Sequence, residues 1–136
     1  MTRTLTLSGF RISAAADTGL RATEEVVTER SFTVGELWKF QAAATTTPGD
    51  TYTVANIPDM TNLRFIYIEN HSATSGEDLL ITCNVSGPTA TVTWNIAPGG
   101  VLLLADGVSA DGELISIVIM SAAGAPQYTM ILGDDA

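Results

Sequence analysis

Residues 79–96 read LLITCNVSGPTATVTWNI, and they contain the clearest structural pattern of the chain. Apolar and polar side chains alternate on both sides of a short link, and Cys83 and Trp94 fall on the apolar faces. Because successive side chains of a strand point to opposite faces of a sheet, this alternation is typical of strands that bury one face. The link at 86–89 holds Ser, Gly, Pro and Thr, which favour turns. The stretch therefore predicts a β-hairpin.

Further strands are predicted on both sides of the hairpin. Residues 63–68 are rich in β-branched and aromatic residues, and 128–132 form a last strand. Residues 101–104 and 114–120 are apolar on both faces, which suits central strands or strands covered by a neighbouring subunit. Roughly seven to nine strands with short turns and no sustained helix predict an all-β fold, a single antiparallel β-sandwich of the jelly-roll type.

The first third of the chain is less regular. Residues 4–12 alternate, but the apolar positions change phase at Gly9, which indicates a β-bulge in one bent strand, or an extended arm. Residues 23–29 fit one helical turn. We expect an N-terminal extended arm or edge strand at 1–24 and the sandwich at 25–136. The 136 residues suffice for one core.

The segment before the threonine run at 45–47 carries two competing signals. A capping box at Thr33 and Glu36 favours a helix. Trp38, Phe40 and Ala42 alternate as they would in a strand, which favours a strand instead. The β-branched threonine run suits a helix poorly, so the strand is the preferred interpretation.

Charge is distributed unevenly along the chain. The formal net charge is -9, yet residues 1–40 contain five bases and five acids, whereas from residue 41 onward Arg64 alone opposes ten acids. Such a field repels phosphate backbones, so we expect no binding to nucleic acid.

Hydropathy excludes two further classes. A content of 46% hydrophobic and 15% charged residues is incompatible with a disordered chain and favours an assembled protein. No run approaches the ~18 apolar residues of a membrane span, and the first residues lack the apolar core of a signal peptide. We therefore expect neither membrane insertion nor export.

Catalytic chemistry has little support in the sequence. His71 is the one histidine and lies in a polar loop, so no imidazole pair or triad can form within the chain. The carboxylates cluster at 76–78 and 111–113, where turn formation explains them. We predict that the protein is not an enzyme and has no cofactor.

A metal site is also not expected. Asp106, Asp111 and Glu113 offer oxygen ligands to calcium, but their spacing differs from that of an EF-hand loop, and Asp-Gly pairs are ordinary turn formers. Cys83 is the one cysteine, which excludes a disulfide within the chain. Its position on an apolar face predicts a small buried side chain.

Three runs stand out when the chain is taken as a whole: DLLIT at 78–82, VTWNIAPGGVLLL at 92–104 and YTMILG at 128–133. Together they resemble small sandwich proteins of tailed-phage virions, in particular capsid decoration, or cement, proteins. The resemblance covers about residues 50–136. It implies a homo-oligomer, often a trimer, that is made in the host cytoplasm and binds the major capsid protein on the outer surface of the virion.

The resemblance also implies an N-terminal arm that docks on the shell, and the charge-balanced first third fits that role. The side chains expected at the capsid or subunit interface are Arg3, Leu5, Leu7, Phe10, Arg11, Arg21 and Trp38. Within the same class, a neck, tail or fibre component is the alternative. From a different class, a non-catalytic carbohydrate-binding sandwich would present Trp38 or Tyr52 as an exposed aromatic platform.

Overall fold

A computed structural model of the chain describes residues 3–7, 11–13, 24–26, 30–58, 63–85, 91–105 and 114–134. These residues form twelve β-strands and no helix, so none of them belongs to a helix that could cross a membrane. The strands are β1 (Arg3–Leu7), β2 (Arg11–Ser13), β3 (Glu24–Val26), β4 (Arg30–Val34), β5 (Leu37–Ala43), β6 (Asp50–Thr53), β7 (Leu63–Asn70), β8 (Leu79–Val85), β9 (Thr91–Ile96), β10 (Val101–Ala105), β11 (Leu114–Ser121) and β12 (Gln127–Asp134).

Eight of these strands form two antiparallel sheets of four. The first sheet has the order β10-β7-β12-β5, and the second has the order β6-β11-β8-β9. From β5 to β12 the chain crosses between the sheets at every connection except the β8–β9 hairpin. This is the strand order of a jelly roll, in which two sheets of four interlock as Greek keys. The predicted β-sandwich is confirmed.

The core lies between the sheets and is built from alternate side chains. Ile66, Ile68 and Met130 face inward from the first sheet, and Ile81 and Ile119 face them from the second. All five are fully buried. Burying one such side chain contributes about 1.5–3 kcal/mol to stability. The sandwich is therefore held together mainly by apolar packing.

The hairpin predicted at 79–96 is confirmed as β8 and β9. Ile81 pairs with Trp94, and Cys83 pairs with Val92. Cys83 is 4% exposed, and burial raises the pKa of its thiol to about 11. A protonated, buried thiol is a poor nucleophile, so Cys83 acts as a small apolar side chain, as predicted.

The apolar run at 101–104 does not form a central strand, so of the two expected arrangements a strand covered by a neighbouring subunit stays a prediction. β11 is a central strand, but β10 lies at an edge of the first sheet. Leu102 and Leu104 pack against the core, whereas Val101 is 51% exposed. A strand that is apolar on both faces can therefore be central or at an edge. Burial of a face depends on what covers the sheet, and not on how many strands pair with that strand.

The strand preferred after Glu36 is confirmed as β5. It pairs with β12, and Trp38 lies opposite Leu132. Trp38 and Phe40 pack against the core from the inner face of the first sheet. The capping-box helix does not form, because the backbone groups of this segment bond to a neighbouring strand.

The N-terminal strands β1 to β4 form two antiparallel pairs, which together we call the N-terminal ribbon. β1 pairs with β4 and β2 pairs with β3, both antiparallel. Arg3 lies opposite Val34 and Ser13 lies opposite Glu24, so the two residue numbers of every pair add up to 37. β3 occupies part of the segment 23–29, so the helical turn predicted there is wrong.

The β-bulge predicted at Gly9 stays a prediction. Gly9 lies outside the described residues. Three residues separate β1 from β2, and three separate β3 from β4. The pairing also joins residues on both sides of the boundary expected at residue 24.

Candidate interaction surfaces

The part of the chain that the structure describes contains no group of three or more His, Cys, Asp or Glu side chains that could hold a metal ion. The calcium candidates Asp106, Asp111 and Glu113 lie outside that part. His71 is exposed just beyond β7. The ribbon and the outer faces of the sandwich are therefore the candidate functional features.

Most of the predicted interface residues belong to the N-terminal ribbon. Arg3, Leu5 and Leu7 occupy alternate positions of β1, and Arg11 begins β2. Phe10 and Arg21 lie outside the described residues. Arg3, Leu5, Leu7 and Arg11 therefore lie in paired strands, and their role in docking stays a prediction.

The ribbon joins the sandwich through Val34, the last residue of β4. Val34 is fully buried, and its Cγ1 lies 2.9 Å from the point where a Cβ on Gly133 would stand. Beside it, the Glu36 amide donates to Asp134 Oδ1 over 2.5 Å, and the Asp134 amide donates to the Glu36 carbonyl over 3.3 Å. The end of β4 is therefore fixed to the end of β12.

Trp38 lies apart from the other predicted interface residues. It is half-buried on the inner face of β5. Tyr52 is also half-buried; its ring centroid lies 4.8 Å from that of Phe40, and its hydroxyl lies 2.5 Å from the Tyr128 hydroxyl. Both aromatic side chains are turned toward the interior, so neither forms the exposed platform that the carbohydrate-binding alternative predicts.

A polar network links the two sheets inside the sandwich. Tyr128 is 1% exposed and donates to Asp50 Oδ2 over 2.7 Å. Burial, reinforced by its hydrogen bonds to Tyr52 and Asp50, raises the pKa of Tyr128, and burial raises the pKa of Tyr52. The two phenols stay protonated and satisfy each other and the carboxylate, which is what buried polar groups require. The network has a structural role.

The outer face of the first sheet carries a second network, which we call the polar row: Gln41, Tyr67, Glu69, His71 and Thr129. Gln41 donates to Thr129 Oγ1 over 3.3 Å, and His71 Nε2 lies 2.7 Å from the same oxygen. His71 Nδ1 lies 3.7 Å from Glu69 Oε1, and Tyr67 donates to Glu69 Oε2 over 2.6 Å. That hydrogen bond raises the pKa of Tyr67 to about 12. The row offers donors and acceptors across three strands.

The outer face of the second sheet has a different chemistry. We call the outward-facing residues of β6, β11, β8 and β9 the uncharged face. Its centre holds Thr82, Asn84, Thr91, Thr93, Ser116 and Val118. The four strands contain one charged residue, Asp50, and its carboxylate accepts the internal bond from Tyr128.

Hydrogen bonds connect the polar side chains of the uncharged face. Thr82 Oγ1 lies 3.2 Å from Thr93 Oγ1. Asn84 Nδ2 donates to Ser116 Oγ over 2.8 Å, and Thr91 donates to Asn84 Oδ1 over 3.2 Å. These contacts form two groups that bridge neighbouring strands, and apolar Val118 lies opposite Thr82 on the same face.

Four connections meet at one end of the sandwich, which we call the loop end. Backbone bonds tie them in pairs: the Ser121 amide donates to the Thr45 carbonyl over 2.9 Å, and the Ala122 amide donates to the Asp78 carbonyl over 2.9 Å. Asn70 is fully buried, and its Nδ2 donates to the carbonyls of Glu77 and Ile96 over 2.8 and 3.2 Å. The loop end is thus a fixed part of the fold.

Sequence reasoning did not identify the two outer faces as candidate surfaces. The alternation does show that Thr82 and Thr93 point away from the core. It does not show that β11 lies beside β8, or that β12 brings Thr129 between Gln41 and Glu69. Both surfaces depend on the order of strands in a sheet, which the chain order does not reveal.

Comparison of the chain with protein-family models, with curated proteins and with solved structures finds no match. The jelly roll is therefore assigned from strand order and register. Jelly rolls serve many unrelated functions, so the fold alone does not identify the function of this chain.

Proposed function

We propose that this chain is a structural virion protein, a capsid decoration or cement subunit that binds the outer surface of an assembled phage shell and stabilises it. The N-terminal ribbon is the observation that carries the proposal. It is a paired appendage whose last residue, Val34, is fixed against Gly133 of an acidic jelly roll. The partner that we propose for it is the major capsid protein.

The ribbon would be stabilised by contact with a second molecule, because its strands have no pairing with the described strands of the sandwich. Among the described strands, β1 to β4 pair with one another and with no strand of the sandwich. An isolated two-stranded hairpin is marginally stable in water. Contact with a shell subunit would supply the apolar burial and strand pairing that such a ribbon needs.

Charge supports the same arrangement. Residues 1–40 are neutral overall, so this part of the chain approaches another protein without a net repulsion. From residue 41 onward the chain has a net charge of -9. A sandwich with that charge suits exposure to solvent at high local density, because neighbouring copies repel and do not aggregate.

The mechanism is mass action. A protein that binds the assembled shell, but not its separated subunits, shifts the equilibrium toward assembly by a free energy that grows with its concentration relative to its dissociation constant. This role needs no catalytic group. It needs a docking element, for which we propose the ribbon, and a stable domain, for which we propose the jelly roll.

Copy number is the first test. Quantitative mass spectrometry of density-purified particles would compare copies of this chain with copies of the main shell protein. We expect a ratio of the same order as the shell subunit. A few copies per particle would assign the chain to the neck, tail or fibre, and absence from particles would refute a virion role.

Removal of the ribbon is the second test. A variant that lacks residues 1–29 keeps Val34 and its contact with Gly133, so we expect the sandwich to fold and particle binding to be lost. Lys39→Glu, an exposed change outside the ribbon, is the control and should bind as the parent does. Retained binding by the folded deletion variant would contradict the docking role.

A carbohydrate-binding module is the second candidate function. For this function the polar row is a better binding site than Trp38 or Tyr52, the positions expected from the sequence. Tyr67 is half-exposed beside Glu69 and His71 on a sheet face, where a sugar could meet both a ring and hydrogen-bonding groups. Glycan-array binding that Tyr67→Ala abolishes, with no binding to particles, would favour this function over capsid decoration.

A further inference from the structure

Large apolar side chains with about half of their surface exposed gather at one end of the sandwich. Among the described residues they are Val54, Val92, Val101 and Ile115. β6 and β8 begin at the loop end and run away from it, so Val54, Val92 and Ile115 lie at the opposite end, where β12 ends beside the base of the ribbon. We call this the ribbon end. Val101 begins β10 at the loop end. Single exposed apolar residues are ordinary, but three of these four at one end indicate a surface that a partner covers.

Ile115 is exposed because of a β-bulge. Regular alternation from the fully buried Ile117 would point Ile115 inward, but the register of β11 with β8 shifts between Leu114 and Ser116. Leu114 is 2% exposed, whereas Ile115 is 47% exposed. An extra residue of this kind re-aims a side chain. The bulge therefore keeps an isoleucine out of the core.

Val54 belongs to the neighbouring turn. Thr53 pairs with Ser116, and Val54 and Ile115 are each the next residue beyond that pair. The Ile57 amide donates to the Thr53 carbonyl over 2.9 Å, and Ile57 is fully buried. The turn is thus anchored in the core while Val54 is 52% exposed. An apolar pair held on a fixed backbone loses little conformational entropy when a partner covers it, so it is preorganised for binding.

We propose that the ribbon end of the sandwich docks on the same surface of the major capsid protein as the N-terminal ribbon, and that Val54 and Ile115 are buried against apolar side chains of that surface. This inference rests on the proposed function, which gives the ribbon its docking role. Burial of apolar surface is the dominant favourable contribution in most protein association. A contact at the ribbon end would therefore stabilise the complex through side chains that the free chain leaves in water.

The position of the ribbon base supports one continuous docking surface. Val34 is fully buried beside Gly133, so the ribbon leaves the sandwich at this end. Gly133 belongs to the first sheet, whereas Val54 and Ile115 lie on the side of the second sheet, and packed sheets are about 10 Å apart. A standard interface covers about 800 Å² per partner, which is roughly 30 Å across. A partner bound at the ribbon base therefore reaches Val54 and Ile115.

Binding to purified particles tests the contribution of the pair. Val54→Asp and Ile115→Asp should each weaken binding of the full chain by on the order of tenfold, because the contact loses apolar burial and must desolvate a charge. Val101→Asp is the matched control, since Val101 is 51% exposed at the loop end, and it should change binding by less than about twofold. Equal weakening by V54D and V101D would overturn the assignment to the ribbon end.

Chemical protection tests the same contact without relying on affinity. Val54→Cys and Val101→Cys each add an exposed thiol, while Cys83 is 4% exposed and gives the slow background. Thiol reactivity depends on access, so particle binding should slow maleimide labelling of V54C by about tenfold or more and leave that of V101C unchanged. A V54C chain that is labelled as fast on particles as in solution would refute the contact.

The ribbon deletion separates this inference from the proposed function. If the full chain does not bind particles, or if the variant that lacks residues 1–29 binds as the parent does, the proposed function fails and this inference fails with it. If the deletion abolishes binding while V54D and I115D bind as the parent does, the ribbon docks and the contact of the ribbon end is refuted. Circular dichroism and thermal melting verify that each variant is folded, and if an aspartate variant unfolds, the labelling of V54C decides.

Discussion

Tyr128 and Asp50 connect the two sheets through a single hydrogen bond, with the phenol of β12 donating to the carboxylate of β6 over 2.7 Å. Tyr52, also on β6, lies 2.5 Å from the same phenol. Tyr128 is almost fully buried, so its hydroxyl depends on Asp50 and Tyr52 for its hydrogen bonds.

Replacing Tyr128 by Phe should destabilise the fold. The change removes the donor to Asp50 and the partner of the Tyr52 hydroxyl, both of them half-buried groups, and the loss of such hydrogen bonds costs about 1–3 kcal/mol. Denaturant unfolding measures the loss. Tyr67→Phe removes a hydroxyl on the outer face, where water can replace it, and should cost less. Equal losses for the two variants would show that the internal network adds no stability.

Alkaline pH should destabilise the protein through its three tyrosines. The pKa of Tyr67 rises from 10.0 to about 12 through its bond to Glu69, and burial raises the pKa of Tyr52 and of Tyr128. The unfolded chain therefore releases these protons first. The stability that they contribute is complete below about pH 10 and falls as the pH rises toward about 12.

Ultraviolet absorbance of the phenolate measures this titration. We expect little phenolate in the folded protein at about pH 10, where a free tyrosine is half ionised. The control is the same titration in denaturant, which should show a midpoint near 10. A folded protein with that same midpoint would contradict the hydrogen bonds described for these residues.

Gly133 and Val34 should be energetically coupled. Gly133→Ala places a methyl group 2.9 Å from Val34 Cγ1, and overpacking of this kind costs about 1–3 kcal/mol. Val34→Ala removes the clashing methyl group but leaves a cavity. The double variant should therefore lose less stability than the two single losses combined, by about 0.5–3 kcal/mol. Additive losses would mean that the two residues are not in contact.

Asn70→Ala should loosen the loop end. The substitution removes the donors to the carbonyls of Glu77 and Ile96 and the acceptor for the Ser72 amide. Buried partners left without a hydrogen bond predict a loss of about 2–4 kcal/mol. Asn95→Ala, at an exposed strand position, is the matched control and should stay within about 0.5 kcal/mol of the parent.

The sequence predicts the features that depend on local alternation. The burial of Cys83 and the inward face of Trp94 follow from side-chain periodicity, because the face of a strand is set by residue spacing. The hairpin of β8 and β9 follows from its turn residues. Each of these features involves a few neighbouring residues, and each is confirmed.

Features that depend on distant pairing could not be predicted. The contact of Val34 with Gly133 joins residues that are 99 positions apart, and the edge position of β10 depends on which strands its sheet contains. The pairing of the ribbon strands could not be predicted for the same reason, because it joins residues as far apart in the sequence as Arg3 and Val34. The uncharged face emerges from four strands that the chain visits in a different order.

The closeness of Glu36 and Asp134 has a practical consequence for engineering. A cargo fused after β12 would emerge beside the base of the ribbon, where it would compete for the space of anything that the ribbon touches. The residues Ala73, Thr74 and Ser75 are exposed at the loop end, about 24 Å away along the eight residues of β12. A peptide inserted after Ser75 would be displayed on the far side of the molecule from that base.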